Sequence, residues 1–286
     1  MMDALLRSLI DGLLLGFVYG IAAMGLTLIW GVMNVINLSH GSLIALGMFS
    51  VYYLFVGLGV HPYLALVLTA FLGLIFGIII YFIAVHRVID APELSTLLAT
   101  YAVNMVILGV GTAVFTTTPR NIPLDLGSIQ FGVTVVTTTR LIAALVATLV
   151  AIGLFLFLKY SRPGRYIRAV TDNRDAAEIV GVPSAQILAL TFGLGTLLAA
   201  VSGGLIATFF PFTILSGGSY ELKSFVIGVL GGLGNPVGSL FGGLILGVIE
   251  GLVPMAMPTT WTPVLEFVLF VLILLVKPNG LFGGEE

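Results

Sequence analysis

Chemistry in this chain would have to come from a small set of side chains. The histidines are His40, His61 and His86, and no two stand at metal-ligand spacing. The lysines are Lys159, Lys223 and Lys277, preceded by Leu158, Leu222 and Val276. None forms the Gly-Lys-Ser/Thr of a phosphate loop, so the chain carries no nucleotide-hydrolysing engine of that type. Cysteine is absent, which excludes disulfides and thiolate metal sites. No cofactor and no metal is expected. A membrane enzyme would need clustered His, Asp or Glu near one bilayer face, and the acids here are scattered. Glu250 and Glu266 fall inside apolar runs, with Glu221 and Lys223 flanking another. Ionisable groups in such runs are functional candidates by default. A structural pair, for instance Lys223 with Glu250, is the other reading.

Two further segments interrupt apolar runs with Asn, Ser and Gly. One is Gly31–Ser42, which holds Asn34, Asn37, Ser39 and His40. The other is Gly231–Ser239, which holds Asn235. Broken helices present unpaired N–H and C=O groups and often mark a transport site. Turns at a membrane face fit the same residues. We take Asn34, Asn37, Ser39, His40, Asn235 and Glu250 as candidates for a translocation pathway. His40 on its own reads as a hydrogen-bonded turn residue.

The elements that hold these residues must be membrane helices. Of 286 residues, 59% are hydrophobic and 8% charged, against roughly 25% charged in soluble domains. No charged residue occurs over 12–86, 94–119, 141–158, 179–220 or 224–249. A span needs about 20 apolar residues. The runs do not alternate as barrel strands do. The fold class is therefore an all-α polytopic transmembrane helical bundle of eight or nine spans. Helices are expected near 9–29, 42–58, 62–85, 95–115, 140–158, 186–207, 222–235, 237–255 and 262–276. The first pair and the 222–255 pair are candidates for broken or re-entrant segments. Asp3 and Asp11 and the length of the first apolar run argue for a retained helix over a cleaved signal. Gly193/Gly195, Gly203/Gly204 and Gly242/Gly243/Gly247/Gly251 read as packing faces, which a dimer could also use.

Charge sets orientation. Arg87, Lys159, Arg162, Arg165, Arg168, Arg174 and Lys277 lie toward one side, while the opposite loops hold Arg120 and Arg140. The positive-inside rule makes the first side cytoplasmic, and nine spans then put the N-terminus outside and the C-terminus inside. The chain is read as one domain over 1–286, in the cell inner membrane and in contact with lipid. Loop 116–139, with β-like runs over Ile129–Val136, is read as an external cap. A net charge of −2 and the lack of a basic stripe argue against nucleic acid.

Loop 159–185 is the most informative stretch. Arg162-Pro163-Gly164 breaks the preceding span. Asp172 or Asn173 can cap a helix of about two turns, with Asp175 in its first turn. Gly181 fits a left-handed stop, and Pro183 forbids continuation. Ala176 and Ala177 put small residues on its surface. A helix this short must rest on something. It fits a coupling helix set into a cytoplasmic partner, and it also fits an ordinary interhelical connection.

Gly16–Ser42, Gly231–Gly243, Lys277–Gly283 and the loop Arg168–Val182 resemble the branched-chain amino-acid ABC permeases, in the family's order and over nearly the whole chain. The resemblance implies cytoplasmic ATP-binding subunits docked on Thr171, Asp172, Arg174, Asp175, Ala176, Ala177, Glu178 and Gly181. It also implies a second permease subunit, paralogue or self, and an extracytoplasmic substrate-binding protein. Substrates in the family include Leu, Ile and Val, other amino acids, urea and short amides. The expected function is the permease subunit of an importer working by alternating access. A stand-alone secondary transporter or channel is the alternative.

Overall fold

Backbone groups withdrawn from water must bond to one another, and the charge-free stretches do so as helices. A computed structural model describes residues 2–124, 126–131, 134–277 and 280–282. Asp125, Gly132 and Val133 of the 116–139 loop lie outside the described residues, as do Pro278, Asn279 and Gly283 of the tail motif. The element order is α1 (Met2–Met33), α2 (His40–Leu58), α3 (Pro62–Ile80), α4 (Glu93–Phe115), β1 (Ser128–Phe131), β2 (Thr134–Thr137) and α5 (Thr138–Tyr160). Then follow α6 (Arg162–Asp172), α7 (Arg174–Ile179), α8 (Ser184–Ile206), α9 (Gly217–Gly231), α10 (Pro236–Ala256) and α11 (Thr262–Val276).

Among the described residues, eight helices are long and apolar enough to cross a membrane. The fold is the expected all-α polytopic bundle. At 15 residues, α9 is too short to span about 30 Å of hydrocarbon unaided. It starts where Gly217 meets Gly41 at the first turn of α2, and it ends where Gly231 meets Gly238 of α10. The segment before it makes a 3₁₀ turn over Ile214–Ser216. The first expected helix, 9–29, extends to Met2–Met33. The seventh, 222–235, lies earlier at Gly217–Gly231, because Gly232 and Gly234 take positive φ (92° and 87°) and end it.

The bundle has two ends of different character. The basic end carries α6, α7 and the 86–92 loop. The hairpin end carries β1 and β2, which pair antiparallel with Ile129 opposite Val136. Backbone bonds between Arg120 and Phe212 (2.8 and 2.9 Å) tie the 116–139 loop to the segment before α9.

A glycine seam holds the core together. Gly12, Gly16 and Gly20 lie at four-residue spacing on α1 and meet Gly251, Gly247 and Gly243 on α10. A Cβ on Gly16 would fall 2.7 Å from the Gly243 carbonyl oxygen. Small residues at this spacing let backbones touch, and in lipid such packing drives association. Thr27 and Ser239 bridge the same two helices at 2.9 Å. Gly193, Gly195, Gly203 and Gly204 face α1, α2 and α3 in the same manner. These faces are used within the chain, so they are not free for a dimer. The reason is α1 itself, which lies along α10 for most of its length.

Candidate functional site

At the basic end, α5 stops at Tyr160 and Ser161 starts α6 by accepting a hydrogen bond from the Gly164 amide at 2.9 Å. The sequence marks this break, but the regular helix over Arg162–Asp172 is additional to it. Its apolar edge, Gly164, Ile167 and Val170, is buried. Arg165 and Arg168 donate to the terminal carbonyls of Tyr160 and Lys159, each at 3.3 Å. Cations there complement the C-terminal end of the α5 dipole.

One residue later α7 begins. Asn173 is its cap, accepting from the Ala176 amide at 2.9 Å, whereas Asp172 closes α6. Asp175 sits in the first turn, and Gly181 takes φ +86° after the last. Thr171, Asp172, Asp175, Ala176, Glu178 and Gly181 are exposed. Ala177 is not on the surface: it is 4% exposed and packs inward, because α7 rests on it. The exposed apolar residues are instead Ile179 (86%) and Val180 (78%). They leave an apolar pair uncovered at the end of α7.

Arg174 anchors this unit. Its Nη1 donates to Asp90 Oδ1 at 2.6 Å and its Nε to Glu178 Oε1 at 3.3 Å. Partial burial works against the charged guanidinium, but the hydrogen bonds and charges of Asp90 and Glu178 outweigh it and raise its pKa above the ordinary value. Asp90 follows the π-helical turn Tyr81–Val85 that ends α3. Such turns recur at functional positions. A cavity of about 380 Å³ lies beneath, lined among others by Asn34, Ile89, Val170, Arg174 and Leu188.

The first broken crossing separates α1 from α2. Asn34, at φ 51°, ends α1 in the left-handed region that Asn tolerates. Asn37 and Ser39 are fully buried. Asn37 Oδ1 accepts from the Ser39 amide (3.1 Å) and hydroxyl (2.6 Å). Thr100 of α4 accepts from the Leu38 amide at 3.2 Å and donates to the Ile36 carbonyl at 3.0 Å. His40 Nε2 lies 2.9 Å from the Ala22 carbonyl of α1. Asn235 has a different place: it caps α10 through the Gly238 amide (3.0 Å) and donates to the Phe282 carbonyl (3.0 Å).

Toward the hairpin end, Lys223 Nζ lies 2.6 Å from Glu250 Oε2 and 3.1 Å from Glu266 Oε1. It thus pairs with both acids, and it sits 4.9 Å from the Tyr19 ring centroid. Tyr19 donates to Glu250 Oε1 at 3.3 Å. Two cavities share Lys223 and Glu250 as a wall, one of about 540 Å³ and one of about 380 Å³.

The sequence-derived candidates therefore fall into four places, one of them the Asn235 cap of α10. Asn34 joins the docking-loop residues at the basic end. Asn37, Ser39 and His40 form the buried joint between α1 and α2. Glu250 lines the charged cavities. Asp90, Thr100 and Tyr19 complete these sites. Asp90 shares its short loop with Arg87 and Glu93, and nothing in the sequence singles it out; Thr100 and Tyr19 lie in charge-free runs and gave no signal.

The sequence was compared with known proteins. Residues 8–275 match the family described as branched-chain amino acid transport system / permease component. The high-affinity branched-chain amino acid transport system permease protein LivH of Salmonella typhimurium is 31% identical, over 98% of this chain and 96% of its own. LivH of Escherichia coli K12 is 30% identical over the same shares. BraD of Pseudomonas aeruginosa, named for the same kind of system, is 29% identical over 98% and 96%. No solved structure matches significantly. Given its match along nearly its whole length, the chain belongs to the branched-chain amino acid transport system permease family.

Proposed function

We propose that this chain is the permease subunit of an ATP-driven importer for branched-chain amino acids or a related small polar solute. The basic end is cytoplasmic, and ATP-binding subunits dock on α7. The relatives' names supply the substrate class, and the positive-inside rule supplies the orientation. A second permease subunit completes the pathway, and an extracytoplasmic binding protein delivers the solute at the hairpin end. The polytopic domain over 1–286 supplies the moving wall, with loop 116–139 as the external cap.

One observation carries the coupling assignment. The short helix α7 presents Ile179 and Val180 to solvent while Ala177 and Arg174 fix it to the bundle. A force applied to Ile179 passes through Arg174 and Asp90 to the π-helical end of α3, and through Pro183 into α8. ATP-driven closure of the partner subunits then tilts these helices together, and the pathway changes the side it faces. Roles divide accordingly. Glu178, Ile179 and Val180 meet the partner, and Arg174 positions α7.

The test is ATP-driven uptake by the full transporter in proteoliposomes. Ile179→Asp and Glu178→Lys should each lower uptake tenfold or more, with normal membrane insertion and unchanged binding-protein affinity. Arg174→Glu should act through misplacement of α7 and be partly restored by Asp90→Arg. Ala177→Trp should destabilise the chain itself. Normal uptake in both Ile179→Asp and Glu178→Lys contradicts the assignment.

A further inference from the structure

We infer that the junction of α5 and α6 is a docking surface for anionic phospholipid headgroups, with Lys159, Arg162, Arg165 and Arg168 facing the phosphates. This inference needs α5 to cross a bilayer and is independent of the importer reading. At 23 residues, α5 is about 34 Å long. Its charge-free run, 141–158, takes up most of a hydrocarbon layer about 30 Å thick. Lys159 and Tyr160 therefore stand at the level of the headgroups.

Three observations point to this partner. The first is unbalanced charge. All four cations are exposed, and among the described residues none of them forms an ion pair. The acid of α6, Asp172, lies at its far end. The other end of α5 differs, since Arg140 there pairs with Asp11 at 3.2 Å. The second is placement. The bonds from Arg165 to the Tyr160 carbonyl and from Arg168 to the Lys159 carbonyl keep both guanidiniums at the end of α5. Each has five N–H donors, so most remain for phosphate oxygens. Lys159 Nζ lies 5.7 Å from the Phe155 ring centroid and 5.4 Å from that of Tyr160. The third is the wall beneath. Ile152, Phe155 and Leu156 are exposed on the last turns of α5, and Tyr160 and Tyr166 stand exposed among the cations. Tyrosines favour this level of a membrane. A soluble anion would use the cations alone. A phospholipid uses both parts, its phosphate on the cations and its acyl chains on the wall.

Clustered Lys and Arg beside a membrane helix attract anionic lipid through the surface potential of the leaflet. The buried edge of α6, Gly164, Ile167 and Val170, rests on the bundle and leaves its basic edge outward. Headgroups bound there hold the foot of α6, which leads after one residue into α7.

The chain has no cysteine, so a single label reports on a single place. Leu156→Cys, just beneath the cations, carries a bimane, and Leu145→Cys, in the other half of α5, is the reference. The labelled chain is assembled into the full transporter in phosphatidylcholine bilayers. Quenching by dibrominated phosphatidylglycerol is compared with quenching by dibrominated phosphatidylcholine. Beside Leu156→Cys, phosphatidylglycerol should be preferred about threefold, and high salt should weaken the preference. Beside Leu145→Cys, neither lipid should be preferred. Lys159→Gln with Arg162→Gln removes two exposed charges and leaves the Arg165 and Arg168 bonds in place. This pair should abolish the preference, and Lys159→Arg with Arg162→Lys should keep it. The inference is overturned by no preference at the first label, by an equal preference at the second, or by a preference that survives the double Gln variant. Loss of the preference to inorganic phosphate at matched ionic strength also overturns it, because that denotes a soluble-anion site. So does a preference present in the chain alone and absent in the full transporter, because a partner subunit then covers the patch.

Discussion

The two broken crossings differ in what fills them. Between α1 and α2 the break is lined by neutral groups, and only Asn37 Nδ2 and His40 Nδ1 are buried there without a partner among the described residues. Its exposed backbone is satisfied by neutral groups: Asn37 on Ser39, Thr100 on Ile36 and Leu38, Ser42 on the Ser39 carbonyl at 2.9 Å. Before α9 the chain turns on neutral groups too, with Thr213 and Ser216 capping each other's backbone. Within two turns, however, it presents Tyr220 and Lys223 to cavities lined by Glu250. A joint needs its backbone hydrogen bonds closed, because an unmet buried polar group costs about 1–3 kcal/mol. A passage needs groups that can exchange partners. The first break has the composition of a joint, the second that of a passage.

The comparison can be broken at four points, in falling order of effect. Lys223→Met leaves Glu250 and Glu266 facing each other without a cation. Losing one partner of a buried pair costs about 3–5 kcal/mol, so the variant should unfold at a markedly lower temperature in detergent. Adding Glu250→Gln and Glu266→Gln should restore stability but not uptake, if the charges serve the passage. Thr100→Val keeps the shape and removes the hydroxyl that serves both Leu38 and Ile36. It should cost about 2 kcal/mol by the same thermal measurement, with uptake unchanged in the surviving protein. Ser42→Ala removes one bond at the first turn of α2 and should cost about 1 kcal/mol. Asp90→Asn, at an exposed ion pair, should shift stability by less than about 1 kcal/mol. Its readout is a loss of uptake relative to ATP hydrolysis.

These differences track what could be read from the sequence. The helices were legible because lipid imposes one solution on a charge-free run, and Gly12–His86 admits little else. The stop of α7 was legible because Gly181 and Pro183 act locally. The start of α9 was not. Gly217 and Gly218 do not look like a helix start, and its position depends on Gly41, far away in sequence. Ala177 was assigned to the surface because small residues suit either a docking face or a buried one, and only the packing of α7 decides. Glycine spacing showed that α10 had a close partner. That the partner is α1 follows from a match with Gly12, Gly16 and Gly20 that spacing alone does not give. Lys223 was legible as a partner for Glu250, while Glu266 joins them only because α11 folds back against α9.

The central claim is that the motive force for transport enters through α7 from another subunit. Its most direct test is accumulation of radiolabelled leucine in proteoliposomes that hold this chain alone or this chain with its ATP-binding subunits, second permease subunit and binding protein. The account predicts no accumulation by the chain alone under any ion gradient, and ATP-dependent accumulation by the full set that Ile179→Asp abolishes. Uphill accumulation by the chain alone contradicts it.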